Sequence, residues 1–294
     1  MGKTREIKKR IKAVGNITRI TRTMQMIATS KFAKAQLRAT ATKPYTEGIF
    51  DLVTELARTA GNLEHPLIDG PAGGFKPDAK ELTLLITSDR GLCGPYNGSI
   101  LRTATKLFDE HPAAKAGDIE LVGKKGEAYL KFNNIPVAKR HEIGDTPTFA
   151  QIERLADTYM DQFIAGEVTA VRVIYMRFIS AGKQSPEVLN LLPLKPPADD
   201  GSGPTKGMAL QYEFSPDEQE LLAELLPSTV RTSLFQAVND AIVSEHVARM
   251  VAMKAATDNA GAMGKDLTRV YNRARQAQIT TELTEIISGA AALD

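Results

Sequence analysis

The sequence is poor in cysteine, in long apolar runs and, near its start, in acidic residues. Its 294 residues include one cysteine, Cys93, so neither an intramolecular disulfide nor a multi-cysteine metal site can form within one chain. A single cysteine fits a reducing compartment. No run of about 18 apolar residues occurs, and the start has no apolar stretch of the signal-peptide type. We therefore expect a soluble protein whose role at any membrane is peripheral.

Glycine and proline are scarce toward the amino end. Between residues 4 and 58 the only such residues are Gly15, Pro44 and Gly48. Apolar residues recur there at gaps of three and four, which predicts one long amphipathic helix. These apolar positions are Ile7, Ile11, Val14, Ile17, Ile20, Met24 and Ile27. Because proline lacks an N–H, we expect Pro44 to kink this helix or to begin a new segment.

The carboxyl end predicts a second long helix. Ser215-Pro216 is a helix-start signal, an amphipathic run reaches Pro227, and a proline-free run extends from Ser228 to about Ser288. Small residues let two helices approach closely but bury little apolar area each. We therefore expect an antiparallel helix pair that is stabilised in part by other chains around it. The expected seam residues are Val230, Leu234, Ala237, Ala241, Ser244, Ala248, Val251, Ala255, Ala262, Ala274 and Ala277, opposite Ala13, Ala28, Ala35 and Ala39.

Acidic residues are nearly absent from the first helix. Residues 3–43 hold twelve Lys or Arg and one acid, Glu6, although the whole chain carries a net charge of only +2. This imbalance predicts an acidic partner. Nucleic acid is one alternative, because basic side chains neutralise phosphates. An acidic protein is favoured, because Phe32 is the only aromatic residue before Tyr45 and the basic charges surround the helix.

The middle of the chain consists of short β-branched runs that alternate with helical segments, which predicts a small, mostly parallel sheet covered by helices. The predicted strands are residues 82–87, 119–122 and 170–178, and the predicted helices are 97–110, 126–132 and 148–163. The fold class is therefore α/β with long helices, in which an antiparallel coiled coil of the terminal helices joins a small Rossmann-like α/β domain. The expected organisation is an amino-terminal coiled-coil helix (1–60), the α/β domain (75–195), a flexible loop (196–210) and a carboxyl-terminal helix (211–294) that pairs with the first.

The most conspicuous motif lies between a predicted strand and a predicted helix. It reads Ser88-Asp89-Arg90-Gly91-Leu92-Cys93-Gly94-Pro95-Tyr96-Asn97. Phosphates bind at such positions in nucleotide-binding folds, but the motif matches neither G-x-G-x-x-G nor the P-loop and lacks the phosphate-binding lysine. We interpret it as a tight structural or partner-contacting turn, with phosphate binding as the alternative.

The sequence offers little for catalysis. The four histidines are scattered and show no metal-site spacing. We expect each of them to be a surface or capping residue: His65, His111, His141 and His246. Cys93 has no histidine near it in sequence and is expected to be an inert small hydrophobe. No catalytic, cofactor-binding or metal-binding residue is therefore expected.

Several segments carry a family resemblance. They are residues 5–11, 16–28, 88–94, 244–246, 249–253, 256–260 and, most closely, 271–280. Together they resemble the gamma subunit of the F-type rotary ATP synthase over nearly the whole chain. The resemblance implies a non-catalytic, central-stalk rotor subunit of a proton-translocating enzyme. Its coiled coil would turn inside a ring of alternating alpha and beta subunits and would couple rotation of the membrane rotor ring to conformational cycling of the beta subunits.

The resemblance also implies residues that contact partners. Met24 and Arg249 would meet the acidic lever loops of the beta subunits, while the loops higher in the ring would catch Arg275, Gln276 and Thr280. The turn at the rotor base would comprise Asp89, Arg90, Gly91 and Cys93. The apolar tip of residues 285–294 would turn in a hydrophobic collar of the ring.

The implied partners are the alpha and beta subunits, the epsilon subunit and the membrane c-ring, with no nucleic acid, no small-molecule substrate and no cofactor. The implied location is the cytoplasmic face of the bacterial inner membrane, because no transit sequence precedes the first helix. The mitochondrial matrix side is the alternative for a processed chain. Because Cys93 is the only cysteine, the redox gating of the chloroplast form is not expected. The family offers no role for the loop at 195–207.

Overall fold

The computed structural model describes residues 2–60, 65–194 and 218–291. Over these residues the chain forms seven helices and five strands. In order they are α1 (Gly2–Ala60), α2 (Pro66–Asp69), β1 (Lys80–Ile86), α3 (Tyr96–Glu110), α4 (Pro112–Ala116), β2 (Asp118–Val122), α5 (Lys124–Phe132), β3 (Lys139–His141), α6 (Phe149–Ile164), β4 (Val168–Ser180), β5 (Lys183–Leu192) and α7 (Glu218–Ala291). The predicted loop at 196–210, the loop at 195–207 and the helix-start signal Ser215-Pro216 lie outside the described residues.

The chain divides into two compact units. Residues 1–30 and 249–294 form one, which we call the helix-pair unit, and residues 31–248 form the other, which we call the sheet unit. The long helices α1 and α7 each contribute residues to both units. The prediction that both ends of the chain are helical and that an α/β sheet lies between them is confirmed.

In the helix-pair unit, α1 and α7 run antiparallel. The hydroxyl of Thr4 donates a 2.8 Å hydrogen bond to Gln278, and that of Thr257 donates one of 2.8 Å to Thr21. Buried and half-buried residues recur on both helices at alternating gaps of three and four, the heptad pattern of a coiled coil. The series are Thr4, Ile7, Ile11, Val14, Thr18, Thr21, Gln25 and Ala28 on α1, and Met253, Thr257, Ala260, Gly264, Leu267, Tyr271, Ala274 and Gln278 on α7.

The predicted seam of this pair is partly wrong. Ile7, Ile11 and Val14 lie in the seam as predicted. Further along α1 the seam passes through Thr18 and Thr21 instead, and Ile17, Ile20 and Ile27 each lie one residue before a seam position and are 51–59% exposed. The same error affects other residues of the helix-pair unit that were predicted to be in the seam but are exposed: Ala13, Val251, Ala255, Ala262 and Ala277. Ala28 and Ala274 were predicted correctly. A hydrophobic pattern cannot locate a seam in which threonine is packed inward and isoleucine faces outward.

The sheet unit contains a five-stranded sheet in the order β3-β2-β1-β4-β5. Strands β1 to β4 are parallel, and β5 pairs antiparallel with β4. The mostly parallel sheet was predicted, but the two edge strands β3 and β5 were missed. β3 has only three residues, and β5 contains Pro186, which a sheet tolerates at an edge because proline donates no ladder hydrogen bond.

The core of the sheet unit lies on both faces of the sheet. On β1, Leu82, Leu84 and Ile86 pack against α6 and against residues of α1 and α7. Leu85 points to the opposite face, where α3, α4 and α5 cover it. Burial on both faces explains why the first strand reads as a continuous apolar run.

Both internal prolines lie within continuous helices. α1 passes through Pro44, and α7 passes through Pro227. The helix therefore does not restart at Pro44, and the predicted division of the second helix at Pro227 is wrong. Leu226 and Val230 are buried beside Pro227, and this apolar burial offsets the loss of one backbone hydrogen bond.

Candidate partner-binding residues

The predicted contact residues near the end of α7 lie together at the surface. Arg275, Gln276 and Thr280 are exposed, and the Thr280 hydroxyl donates a 3.0 Å hydrogen bond to the carbonyl oxygen of Gln276. Met24 and Arg249 are half-buried. Because α7 rises 1.5 Å per residue, Arg249 lies roughly 40 Å along the helix from Arg275. The five residues therefore form separate groups on the helix-pair unit.

Large apolar side chains face outward along the helix-pair unit. Each of the following is about half exposed or more: Ile17, Ile20, Met26, Ile27, Val251, Met263, Val270, Ile279, Leu283, Ile286 and Ile287. Exposed basic residues lie among them on α1, namely Lys8, Lys9, Arg10, Lys12, Arg19 and Arg22. The acid of this segment, Glu6, pairs with Arg10 at 2.7 Å. A surface of this kind is typical of one that another protein covers.

The predicted turn after β1 is stabilised by its own side chains. The Ser88 N–H donates a 3.0 Å hydrogen bond to the Asn97 side-chain oxygen, and the Ser88 hydroxyl donates one of 2.7 Å to the Arg90 carbonyl oxygen. The Asp89 carboxylate accepts a 3.2 Å hydrogen bond from the Lys124 N–H. Cys93 is buried beneath the turn, as expected for an inert cysteine.

Two of the backbone positions that could face a phosphate at the start of α3 offer no free N–H group. Pro95, the residue before the helix, has no N–H, and the Tyr96 N–H donates to the Cys93 carbonyl oxygen at 3.3 Å. This geometry disfavours the phosphate-binding alternative. Among the exposed residues of the turn is the apolar Leu92, which is 62% exposed and adopts a left-handed backbone with φ of 63°. Leu92 was missing from the predicted site residues.

Two of the four histidine predictions are wrong. His65 does cap a helix, because its Nδ1 accepts a 3.1 Å hydrogen bond from the Leu67 N–H at the start of α2, and burial lowers the pKa of His65. His111 lies at the junction of α3 and α4. His246, however, is buried, and the His141 Nε2 lies 2.6 Å from the Glu120 carboxylate.

Glu120 is the centre of a buried polar cluster that the sequence did not reveal. The Tyr159 hydroxyl donates a 2.6 Å hydrogen bond to the same carboxylate oxygen that contacts His141. Burial alone would raise the pKa of Glu120, but the hydrogen bonds from His141 and Tyr159 outweigh it and leave the pKa below its usual value. Burial and the Glu120 charge raise the pKa of Tyr159 well above its usual value. The cluster connects β2, β3 and α6.

Within residues 2–60, 65–194 and 218–291, His, Cys, Asp and Glu side chains form no group of three that could hold a metal ion. In the same part of the chain, none of the helices combines the length and the apolar character needed to cross a membrane.

Sequence comparison connects these features to known proteins. Residues 3–293 match the family model described as ATP synthase. The ATP synthase gamma chain of Rhodopirellula baltica is 40% identical over the whole of both chains. This chain belongs to the ATP synthase gamma-chain family. The gamma chain of Roseiflexus castenholzii is 39% identical over 100% of this chain and 99% of that one. As a gamma chain, it is a subunit of the ATP synthase complex and not its catalytic chain.

Solved structures share the fold of this gamma chain. A chain in the mitochondrial ATP synthase of Euglena gracilis, in its OSCP/F1/c-ring part, matches with a TM-score of 0.66 at 20% identity, over 99% of this chain and 95% of that one. A chain in the rotor of the same enzyme matches with a TM-score of 0.64 at 19% identity, over 95% of this chain and 99% of that one. The resemblance inferred from residues 5–11, 16–28 and 271–280 is thus confirmed.

Proposed function

We propose that this gamma chain is the rotor of a proton-translocating ATP synthase. Its helix pair turns within a ring of alternating alpha and beta subunits and presents a different face to each of three catalytic beta subunits. A ligand or partner shifts a conformational equilibrium only by contacting one state better than another. Rotation of an asymmetric surface therefore forces each beta subunit in turn through states of different nucleotide affinity.

The observation that carries this proposal is the apolar surface that the helix pair leaves exposed. Thr4, Thr18, Thr21 and Thr257 occupy the seam, whereas Ile17, Ile20 and Ile27 are exposed. Long helices in water depend on tertiary burial of an apolar face. The seam already buries Ile7, Val14 and Met253, but the outward isoleucines gain burial only when other chains surround the pair, as the subunits of a ring would.

The family resemblance, together with the chemistry of these side chains, suggests which residues meet which partner. We assign Met24 and Arg249 to the acidic lever loops of the beta subunits. Arg275, Gln276 and Thr280 meet the loops higher in the ring, since an exposed guanidinium, amide and hydroxyl provide directional hydrogen bonds. The charge of the α1 surface suits acidic loops, because basic residues there greatly outnumber acids.

The turn after β1 is assigned to the base of the rotor. The turn comprises Asp89, Arg90, Gly91 and Cys93. Hydrogen bonds of Ser88 and Asp89 hold its shape, and Leu92 offers an exposed apolar side chain to a partner. The proposed partners at that end are the epsilon subunit and the c-ring. The protein would then lie peripherally at a membrane, on the cytoplasmic face of the bacterial inner membrane, or on the matrix side in a mitochondrion.

Reconstitution tests the proposal. Alpha and beta subunits from the same source are assembled with and without this chain, and steady-state ATP hydrolysis is measured. We expect sustained turnover only with the chain, because cycling of the beta subunits needs the rotating surface. Full turnover by alpha and beta subunits alone would overturn the proposed function. Proton uptake into vesicles by the complete enzyme then tests the coupling itself.

A further inference from the structure

Asp145 lies where several parts of the sheet unit meet. It belongs to the loop of residues 142–148 between β3 and α6. Its carboxylate forms an ion pair with the ammonium group of Lys31 on α1. Its backbone carbonyl oxygen accepts a 2.8 Å hydrogen bond from the Arg38 guanidinium, also on α1. One short loop therefore contacts α1 at two points that are roughly 10 Å apart along the helix.

Side chains from other parts of the sheet unit lower the pKa of the same carboxylate. Burial alone would raise the pKa of Asp145, but the Lys31 hydrogen bond and the charges of His246, Lys31 and Arg90 outweigh it and lower the pKa. His246 lies on α7, and Arg90 lies in the turn after β1. The loop thus connects electrostatically to both long helices and to the turn.

The remaining packing of α1 at this level is mostly apolar, apart from a 3.2 Å hydrogen bond that the Thr42 hydroxyl donates to the Gln236 side-chain oxygen on α7. Ala35 and Ala39 of α1 form a small apolar cluster with Val243 of α7, and the rings of Phe32 and Phe178 lie 6.2 Å apart. Apolar contact is not directional and scales with area, so it resists separation of the elements better than it resists sliding or rotation. Charge-assisted hydrogen bonds are directional, so they also resist rotation of a helix about its own axis.

We propose that Asp145 is a positioning residue for energy coupling. It holds α1 in one rotational position relative to the α/β domain, so that α1 does not turn independently of that domain when torque is applied. The proposal rests on the proposed rotor function. Lys31 and Arg38 are the groups on α1 through which Asp145 acts. No partner chain is needed for this contact, since all three residues lie in the sheet unit.

The test uses the complete ATP synthase in sealed vesicles and measures protons transported per ATP hydrolysed. Asp145→Asn keeps the shape of the side chain and removes its charge, and Lys31→Gln removes the partner charge while leaving the loop unchanged. We expect either change to lower the ratio, by up to roughly fivefold, because a partly exposed ion pair shifts the equilibrium between the held and the released loop by at most about that factor. ATP hydrolysis should stay near the parent value. Lys31→Arg should preserve the ratio, because arginine retains the charge.

A matched control exists in the same unit. Lys76 and Glu167 form an ion pair of 2.8 Å with side chains about half exposed, similar to Lys31 and Asp145, but neither residue lies on a long helix. Glu167→Gln should leave the ratio unchanged. The double variant Lys31→Gln/Asp145→Asn should be no worse than either single variant, because both remove the same interaction.

Parent-like ratios in both Lys31→Gln and Asp145→Asn, or an equal loss in Glu167→Gln, would overturn the assignment. If Asp145→Asn fails to assemble, the ratio of Lys31→Gln alone decides. Failure of the proposed function is distinguishable, because the unaltered chain would then give no coupled proton transport at all.

Discussion

The hydroxyl of Thr257 on α7 donates a hydrogen bond of 2.8 Å to the hydroxyl of Thr21 on α1, at seam positions where a coiled coil usually buries two apolar side chains. Thr4 and Gln278 form a second such contact. A polar pair in a seam favours one register because a shift breaks the bond between the helices. Its net contribution to stability is small, and here the hydroxyls of Thr21 and Thr257 each also reach a carbonyl oxygen of their own helix. The polar pairs of the seam therefore align the helices, and in the proposed assembly the surrounding chains would bury the outward isoleucines.

Replacing the threonines by valine tests this division of roles. Thr21→Val removes the hydrogen bond, and we expect it to lower the free energy of unfolding by about 0.5–1 kcal/mol. Thr21→Val/Thr257→Val replaces both hydroxyls by methyl groups of the same shape and should recover that loss or exceed it. Guanidinium unfolding followed by circular dichroism measures both. A double variant less stable than the sum of the two single losses would contradict this account.

Substitution of glycine by alanine should have opposite effects on stability at two positions, each of which is the third residue of a helix. At Gly98 in α3 an added Cβ meets nothing within 4 Å, whereas at Gly126 in α5 it would lie 2.6 Å from the Leu121 Cδ1. Gly98→Ala should stabilise the protein by about 0.5–1 kcal/mol, because glycine loses more backbone entropy on folding. Gly126→Ala should destabilise it by about 1–3 kcal/mol through overpacking.

Both glycine variants lie in the sheet unit, so a single chemical-denaturation series compares them. Each serves as the control for the other, because helix position and substitution are the same. Equal shifts of the denaturation midpoint would mean that the close approach of α5 to β2 and to Thr87 is not tight.

The Glu120 cluster predicts a loss of stability in acid. The pKa of Glu120 in the folded protein lies below its ordinary value of 4.5. The corresponding stabilisation is therefore complete above about pH 4.5 and is lost as the pH falls through the folded value. Tyr159→Phe removes a hydrogen bond to this carboxylate, so it should raise the pKa of Glu120. It should also destabilise the protein by about 1.5–3 kcal/mol at neutral pH.

The acid-unfolding midpoint measures the effect. Tyr159→Phe should move it to higher pH, because the carboxylate then protonates more readily. Tyr129→Phe is the control, since the Tyr129 hydroxyl contacts Thr105 at the surface at 2.9 Å and lies outside the Glu120 cluster. An acid midpoint that is the same in both variants would exclude Glu120 as a source of the pH dependence.

Arg275→Ala/Gln276→Ala tests the proposed contact with the upper loops of the ring. Both side chains are exposed, so the unfolding free energy should change by less than about 0.5 kcal/mol. Proton-driven ATP synthesis should fall roughly fivefold or more, because directional hydrogen bonds to the partner are lost.

The control is Lys106→Ala/Glu110→Ala on α3, which removes two exposed side chains away from the helix-pair unit. It should leave ATP synthesis unchanged. Unaltered synthesis in the Arg275→Ala/Gln276→Ala enzyme would remove these two residues from the contact.

Much of the central domain was predictable, because its strands are buried on both faces and so contain little but apolar residues. The run from Leu82 to Ile86 shows this directly. The edge strand β5 was not predictable, because its residues are half-buried and include Pro186. Asp145 and Glu120 were missed for a related reason. The position of an acidic residue in the sequence does not indicate which lysine, histidine or tyrosine the fold brings to it from 21 to 114 residues away.

The sequence by itself determined that both ends are long helices, that the middle is α/β, and that the chain resembles a gamma subunit. These properties depend on local periodicity and on contiguous motifs such as residues 271–280, which can be recognised in the sequence without knowledge of tertiary contacts. Only the tertiary structure decided which face of each terminal helix is the seam. Thr18, Thr21 and Ala28 are in the seam, and the isoleucines that precede them, Ile17, Ile20 and Ile27, are not. This depends on the helix that lies opposite, because the face of a helix that is buried is set by the element that packs against it.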